Sequence, residues 1–164
     1  GRDDAEAASH EVLRDLEQAV REYGFVGAHL YPHWFELAPD HARYYPYYAK
    51  CCELDVPIMM QVGHNLIYQR DRRLPSVGRP ICLDQVAIDF PELRLLGIHI
   101  GVPWTEEMIS MAWKHENVYI GSDAYAPKYW PASLIHRRRR PDLATPRPRR
   151  RTARWARVAW RRPG

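Results

Sequence analysis

The 164-residue sequence predicts an α/β chain built on parallel strands. Three observations carry that expectation: four short runs that are apolar almost without interruption, amphipathic or cappable segments between them, and a repeat of roughly thirty residues, the length of one strand, one helix and two loops. The runs are residues 25–31 (closed by Pro32), 56–62, 93–100 (LRLLGIHI) and 117–121 (NVYIG). Continuous apolar strands, as opposed to alternating ones, belong to a parallel sheet whose faces are covered.

Each helix has its own signal. In residues 11–23, Val12, Leu13, Leu16, Ala19, Val20 and Tyr23 fall at helical spacing, and Gly24 stands where a left-handed C-terminal cap belongs. Residues 46–54 form a second helix, with Pro46 suited to a first turn and the tyrosines at 44, 45, 47 and 48 forming a face against the sheet. A third is expected near residues 84–90 and a fourth over 105–115, where the Thr105 hydroxyl would cap and Glu106 and Glu107 would sit at the positive end of the helix dipole. Met59, Met60, Met108 and Met111 are assigned to the core. The order is one helix, then four successive βα-type units ending on an uncovered strand. It fits either an open doubly wound sheet or part of a (β/α)8 barrel; a whole barrel takes about 250 residues, so a barrel here would be partial.

Charge divides the chain in two. Residues 137–164 hold 12 of the 24 Lys and Arg and a single acid, Asp142, for a net +11, whereas residues 1–136 carry −7. The tail, with four prolines and no apolar period, is expected to be disordered. Its Arg, Pro and Ala are what a GC-rich coding strand yields when read out of frame. The alternative is a non-catalytic protein whose arginine-rich arm binds nucleic acid, with Trp155 and Trp160 as stacking groups. Three cysteines, at 51, 52 and 82, make no even disulfide framework, so a reducing, cytoplasmic compartment is the default. No run approaches the length of a membrane span, and a first residue of Gly is what a piece of a longer reading frame would show.

Parallel α/β folds place ligand sites at the C-terminal ends of strands. The polar residues there are His29 and His33 around the first run, His64 after the second, His99 within the third and Asp123 after the fourth. Histidines at the ends of adjacent strands face one pocket, and neutral imidazole is a common ligand of divalent metals. His29 and His33 are four apart, but Pro32 and the preceding strand argue against a shared helix face, and they line the pocket at best. His10, His41, His115 and His136 are assigned to solvent or helix ends.

The segments LYPHWF, YYPYYAKCCELDVPIMMQVGHN, DFPELRLLGIHIGVPWTEEM and KHENVYIGSDAYAPKYWP resemble the amidohydrolase-related metal-dependent hydrolases, the branch that includes aminocarboxymuconate-semialdehyde decarboxylase and resorcylate decarboxylases. The resemblance covers residues 25–134. It implies a (β/α)8 TIM barrel of which residues 1–136 supply about strands 4 to 7, and one divalent ion, usually zinc, held by a His-x-His pair on the first strand, histidines after the fifth and sixth, and an Asp after the eighth. His64 would then be the fifth-strand metal ligand. His99 would be the sixth-strand histidine, as ligand or as the catalytic group that polarises substrate. His29, Trp104, Asp123 and Tyr125 are possible pocket residues, with Trp130 beside them; Asp123 ends strand seven and is not the eighth-strand Asp.

The sequence departs from that pattern where the chemistry is most demanding. It contains no His-x-His, and the arginine-rich tail stands where the last Asp should follow. The expected activity is metal-assisted hydrolysis of a small organic acid, ester or acyl compound, with decarboxylation close behind it, in an intact protein of which this chain is an inactive fragment. A small-molecule substrate and a homodimer are the partners the resemblance implies.

Overall fold

The computed structural model describes residues 2–65 and 73–136. The expectations of a disordered tail and of a nucleic-acid arm beyond residue 136 lie outside them. Helix α1 (Arg2–Arg21) packs Leu16 and Val20 against the core, and Gly24 beyond it takes φ +72°, the left-handed cap read from the sequence. The helix begins well before residue 11. Its first turns, RDDAEAASH, favour helix through propensity and lack the apolar stripe by which a helix is recognised.

Strand β1 (Ala28–Leu30) leads into a one-turn helix α2 (Pro32–Phe35), and α3 (Tyr45–Glu53) follows with a proline in its first turn. Then come β2 (Ile58–Gln61), α4 (Leu83–Asp89), β3 (Leu95–Ile98), α5 (Thr105–Lys114), β4 (Val118–Ile120) and a short α6 (Ala132–His136). The strands are shorter than the apolar runs because the runs include the residues that enter and leave the sheet. One capping expectation fails: Trp104 occupies the cap position of α5 without a side-chain bond, and Thr105 is a buried first helical residue. Glu106 and Glu107 do lie in that first turn, and Glu107 accepts from the Ile81 amide at 3.3 Å and pairs with Arg79.

All three strand pairs are parallel and the order is β1-β2-β3-β4. Sequential order decides between the two architectures left open by the sequence. Crossovers of one hand that always step the same way along the sheet lay every helix on the same face, which is the arrangement of a barrel wall and not of a doubly wound sheet. The register agrees. Ala28, Ile58, Leu95 and Val118 form one cross-strand row, and Leu30, Met60, Gly97 and Ile120 another; these rows face the helices, in a core with Tyr48, Leu83, Val86 and Met108. The row between them, His29, Met59, Leu96 and Tyr119, faces the other way. Met60 is fully buried while Met59 is 40% exposed, so the assignment of Met59 to the core is corrected. In a continuous apolar run nothing tells the two faces apart. The fold is a mixed α/β, partial TIM barrel.

Tyr44 and Tyr48 are buried as expected; the Tyr48 hydroxyl donates to the Pro39 carbonyl at 2.5 Å, and burial raises its pKa. Asn117 closes the turn between α4 and β3 by donating to the Phe90 and Leu93 carbonyls at 3.1 and 3.0 Å. Cys51, Cys52 and Cys82 are all free thiols. No helix among the described residues is long and apolar enough to cross a membrane.

Asp84 clips α4 to the end of α5, accepting from Lys114 Nζ at 2.7 Å and from His115 Nε2 at 2.5 Å. The Lys114 hydrogen bond, and then that of His115, hold the Asp84 carboxyl below the usual carboxylate value. A carboxyl depressed by folding stabilises fully above its ordinary pKa and ceases to do so as pH falls through the lower folded value. We therefore expect Asp84→Asn to lose about 1 kcal/mol or less at neutral pH, a partly exposed pair being screened. Urea titrations of variant and wild type should converge once the pH drops below the folded value. Equal stability at neutral pH would contradict this.

Candidate active site

The C-terminal ends of the four strands bring together the polar residues singled out in the sequence. His29 lies on β1, His64 three residues past β2, His99 directly after β3 and Asp123 three residues past β4. His99 and Asp123 are in contact: Nε2 of the imidazole lies 3.0 Å from Oδ2, and the His99 amide donates to Oδ1 at 2.9 Å. The other ring nitrogen of His99, Nδ1, meets the side-chain amide of Gln61 at the end of β2. Gln61 is only 3% exposed. Within VPIMMQVG it is the one polar residue in an apolar run, a signal that sequence reasoning passed over.

His64 is set by its backbone, whose N–H donates to the Val102 carbonyl at 2.7 Å, and its Nε2 faces the Tyr125 hydroxyl at 3.5 Å. Tyr125 is fixed in turn by its own N–H to Ser122 O at 2.8 Å and by the Trp130 indole, which donates to its carbonyl at 2.7 Å. Trp104 sits beneath the Arg79 guanidinium, 5.4 Å from the ring centroid. Desolvation, then the charge of His99, lowers the pKa of His29.

His33 stands apart from the expectation of a pocket lining, because it is wholly buried. It lies on α2, separate from His29 on β1, so the two share no helix face. Its Nδ1 accepts from the Val77 amide at 3.2 Å, and its Nε2 has no hydrogen-bond partner. The ring is covered by Gly78, where a Cβ would come within 2.9 Å of Cε1 and 3.1 Å of Nε2. Burial holds its pKa below the ordinary imidazole value. Tyr31 packs edge-on to it at 5.4 Å and donates to Asn65 Oδ1 at 3.1 Å, joining β1 to the loop after β2.

Four adjacent strands thus deliver imidazole, amide, carboxylate and phenol to one end of a parallel sheet. The profile of the Amidohydrolase family matches residues 5–159, and the chain belongs to that family. Superfamily members are enzymes, typically dependent on a divalent metal. Among solved structures the chain is similar to an uncharacterised TIM-barrel protein from Bordetella bronchiseptica, with 29% identity and a TM-score of 0.55 over 66% of this chain and 38% of that one. It is also similar to 2,6-dihydroxybenzoate decarboxylase from Rhizobium (20% identity, TM-score 0.48, 73% of this chain and 49% of that one). A third is 4-oxalomesaconate hydratase from Rhodopseudomonas palustris (24% identity, TM-score 0.44, 70% and 40%). The chain therefore spans less than half the length of each of these proteins. No curated protein sequence matches it.

Among the described residues, His64 offers a metal ion one ligand atom. His64 Nε2 has only a long contact, at the limit of a hydrogen bond, and its lone pair can be offered to an ion. His99 has both ring nitrogens engaged. Among the described residues no group of three or more His, Cys, Asp or Glu side chains could hold a metal.

Proposed function

We propose that this chain is part of a metal-dependent amidohydrolase-type enzyme that hydrolyses a small organic acid, ester or acyl compound, and that it is inactive by itself. What supports this is the placement of His64, His99 and Asp123 after three adjacent parallel strands, with His99 and Asp123 in contact, in a chain that belongs to the amidohydrolase family. His64 would hold the ion, for which zinc is our assignment, together with ligands outside the described residues. A bound divalent ion would polarise a carbonyl and acidify its water.

The chain's own residues have separate tasks. His99, whose Nε2–H is held by Asp123 in this structure, would polarise a substrate oxygen by exchanging that partner for the substrate. Tyr125, beside His64, and Trp104 would form part of an aromatic wall that excludes water. Non-oxidative decarboxylation uses nearly the same arrangement and is the second reading; a basic residue placed to grip a substrate carboxylate would favour it.

The proposal is tested by sequencing the encoding DNA outward from codons 1 and 164 and translating all three forward frames. A His-x-His strand upstream and an Asp-ending strand downstream, in frame or after a shift near codon 136, are expected. If neither is encoded, the enzyme reading fails for this gene product.

A further inference from the structure

His99, Ile100 and Gly101 are three consecutive residues in the left-handed region, with φ of 62°, 47° and 71°. For a residue with a Cβ this conformation is unfavourable, so His99 needs a holder. The holder is Asp123 on the adjacent strand end. One carboxylate makes both of its bonds to the same residue, Oδ1 to the backbone N–H at 2.9 Å and Oδ2 to the ring Nε2 at 3.0 Å, fixing backbone and side chain together. A second tie from the β4 side is the Ile100 amide, which donates to Gly121 O at 2.8 Å. Gly121 lets β4 come this close, since a Cβ there would lie 3.1 Å from Ile98 Cγ2.

The partners also dictate where the ring proton sits. A carboxylate only accepts, so Nε2 must carry the hydrogen; Nδ1 is then a lone pair, which suits the N–H of the buried Gln61 amide. A single neutral tautomer satisfies both neighbours. We propose that Asp123 and Gln61 are positioning residues that fix the rotamer and the Nε2–H tautomer of His99. The catalytic meaning of this clamp rests on the proposed function, but its existence does not.

The test is a long-range proton–nitrogen correlation spectrum of the histidine rings in the metal-free, nitrogen-15-labelled full chain, recorded above the usual imidazole pKa. In the wild type, His99 should appear as the Nε2–H form. In Asp123→Asn the amide oxygen can still accept the His99 backbone N–H, but an NH2 now faces Nε2. The ring should therefore switch to the Nδ1–H form, with the Gln61 amide turning over to accept. In Gln61→Leu the Nε2–H form should persist because Asp123 is intact, while the Nδ1 signal shifts on losing its donor. A merely structural role for Asp123 would disturb stability without moving the ring proton.

Finding His99 as Nδ1–H in the wild type, or unchanged in Asp123→Asn with the His115 signals and far-ultraviolet circular dichroism intact, would overturn the proposal. If Asp123→Asn does not fold, the wild-type tautomer and Gln61→Leu still decide it. A failure of the proposed function, for example no metal bound at His64, would leave these spectra unchanged.

Discussion

Replacing Gly63 with alanine is expected to destabilise the chain by about 2–5 kcal/mol, the sum of a strained backbone and an overpacked contact. Gly63 lies between β2 and His64 with φ +92°, and an added Cβ would run into the Val102 carbonyl oxygen and come within 3.0 Å of the Gly101 carbonyl carbon. Both are backbone atoms and cannot swing aside. The same Val102 carbonyl accepts the His64 N–H, so relief of the clash must move His64 from its place. Gly24 supplies the control: it too has a positive φ, +72°, but nothing lies within 4 Å of its Cβ position. Gly24→Ala should cost only the conformational part, about 1–2 kcal/mol. Urea midpoints measure both, and equal losses would show that the close approach at Gly63 is wrong.

The second large effect separates two neighbours on β2. Met60→Ala should cost about 2–5 kcal/mol, because the side chain is fully buried under the helices and its loss leaves a cavity. Met59→Ala should change stability by about 0.5 kcal/mol or less in this chain, since Met59 lies on the face the helices do not cover. The contrast tests one-sided coverage, the feature that makes the sheet a barrel wall. Losses of similar size at both positions would mean that both faces are covered.

Much of this arrangement was legible in the sequence. Apolar runs located all four strands, and Gly24 and Pro46 marked a helix end and a helix start, because each signal is local. The candidate residues His64, His99 and Asp123 were legible for a topological reason: in parallel sheets, whatever follows a strand lies at one end. What escaped depends on contacts distant in sequence. The His99–Asp123 clamp joins residues 24 apart through the adjacency of β3 and β4 and through a left-handed turn that no propensity predicts for His-Ile. Met59 and Met60 were indistinguishable because a continuous run has no period. His33 looked like a pocket residue, whereas it is buried, with Gly78, 45 positions along the chain, lying against its ring.

The central claim, a divalent-metal site at the C-terminal ends of these strands, is tested most directly by titrating Mn2+ into the full chain and following the histidine ring signals. Paramagnetic broadening falls steeply with distance from the ion. His64 and His99 should broaden first, at low Mn2+, with His10, His41 and His115 unaffected. Binding should be weak, since the described residues supply only part of a ligand set. Uniform broadening of all these histidines, or broadening that begins at His10, His41 or His115, would contradict the site.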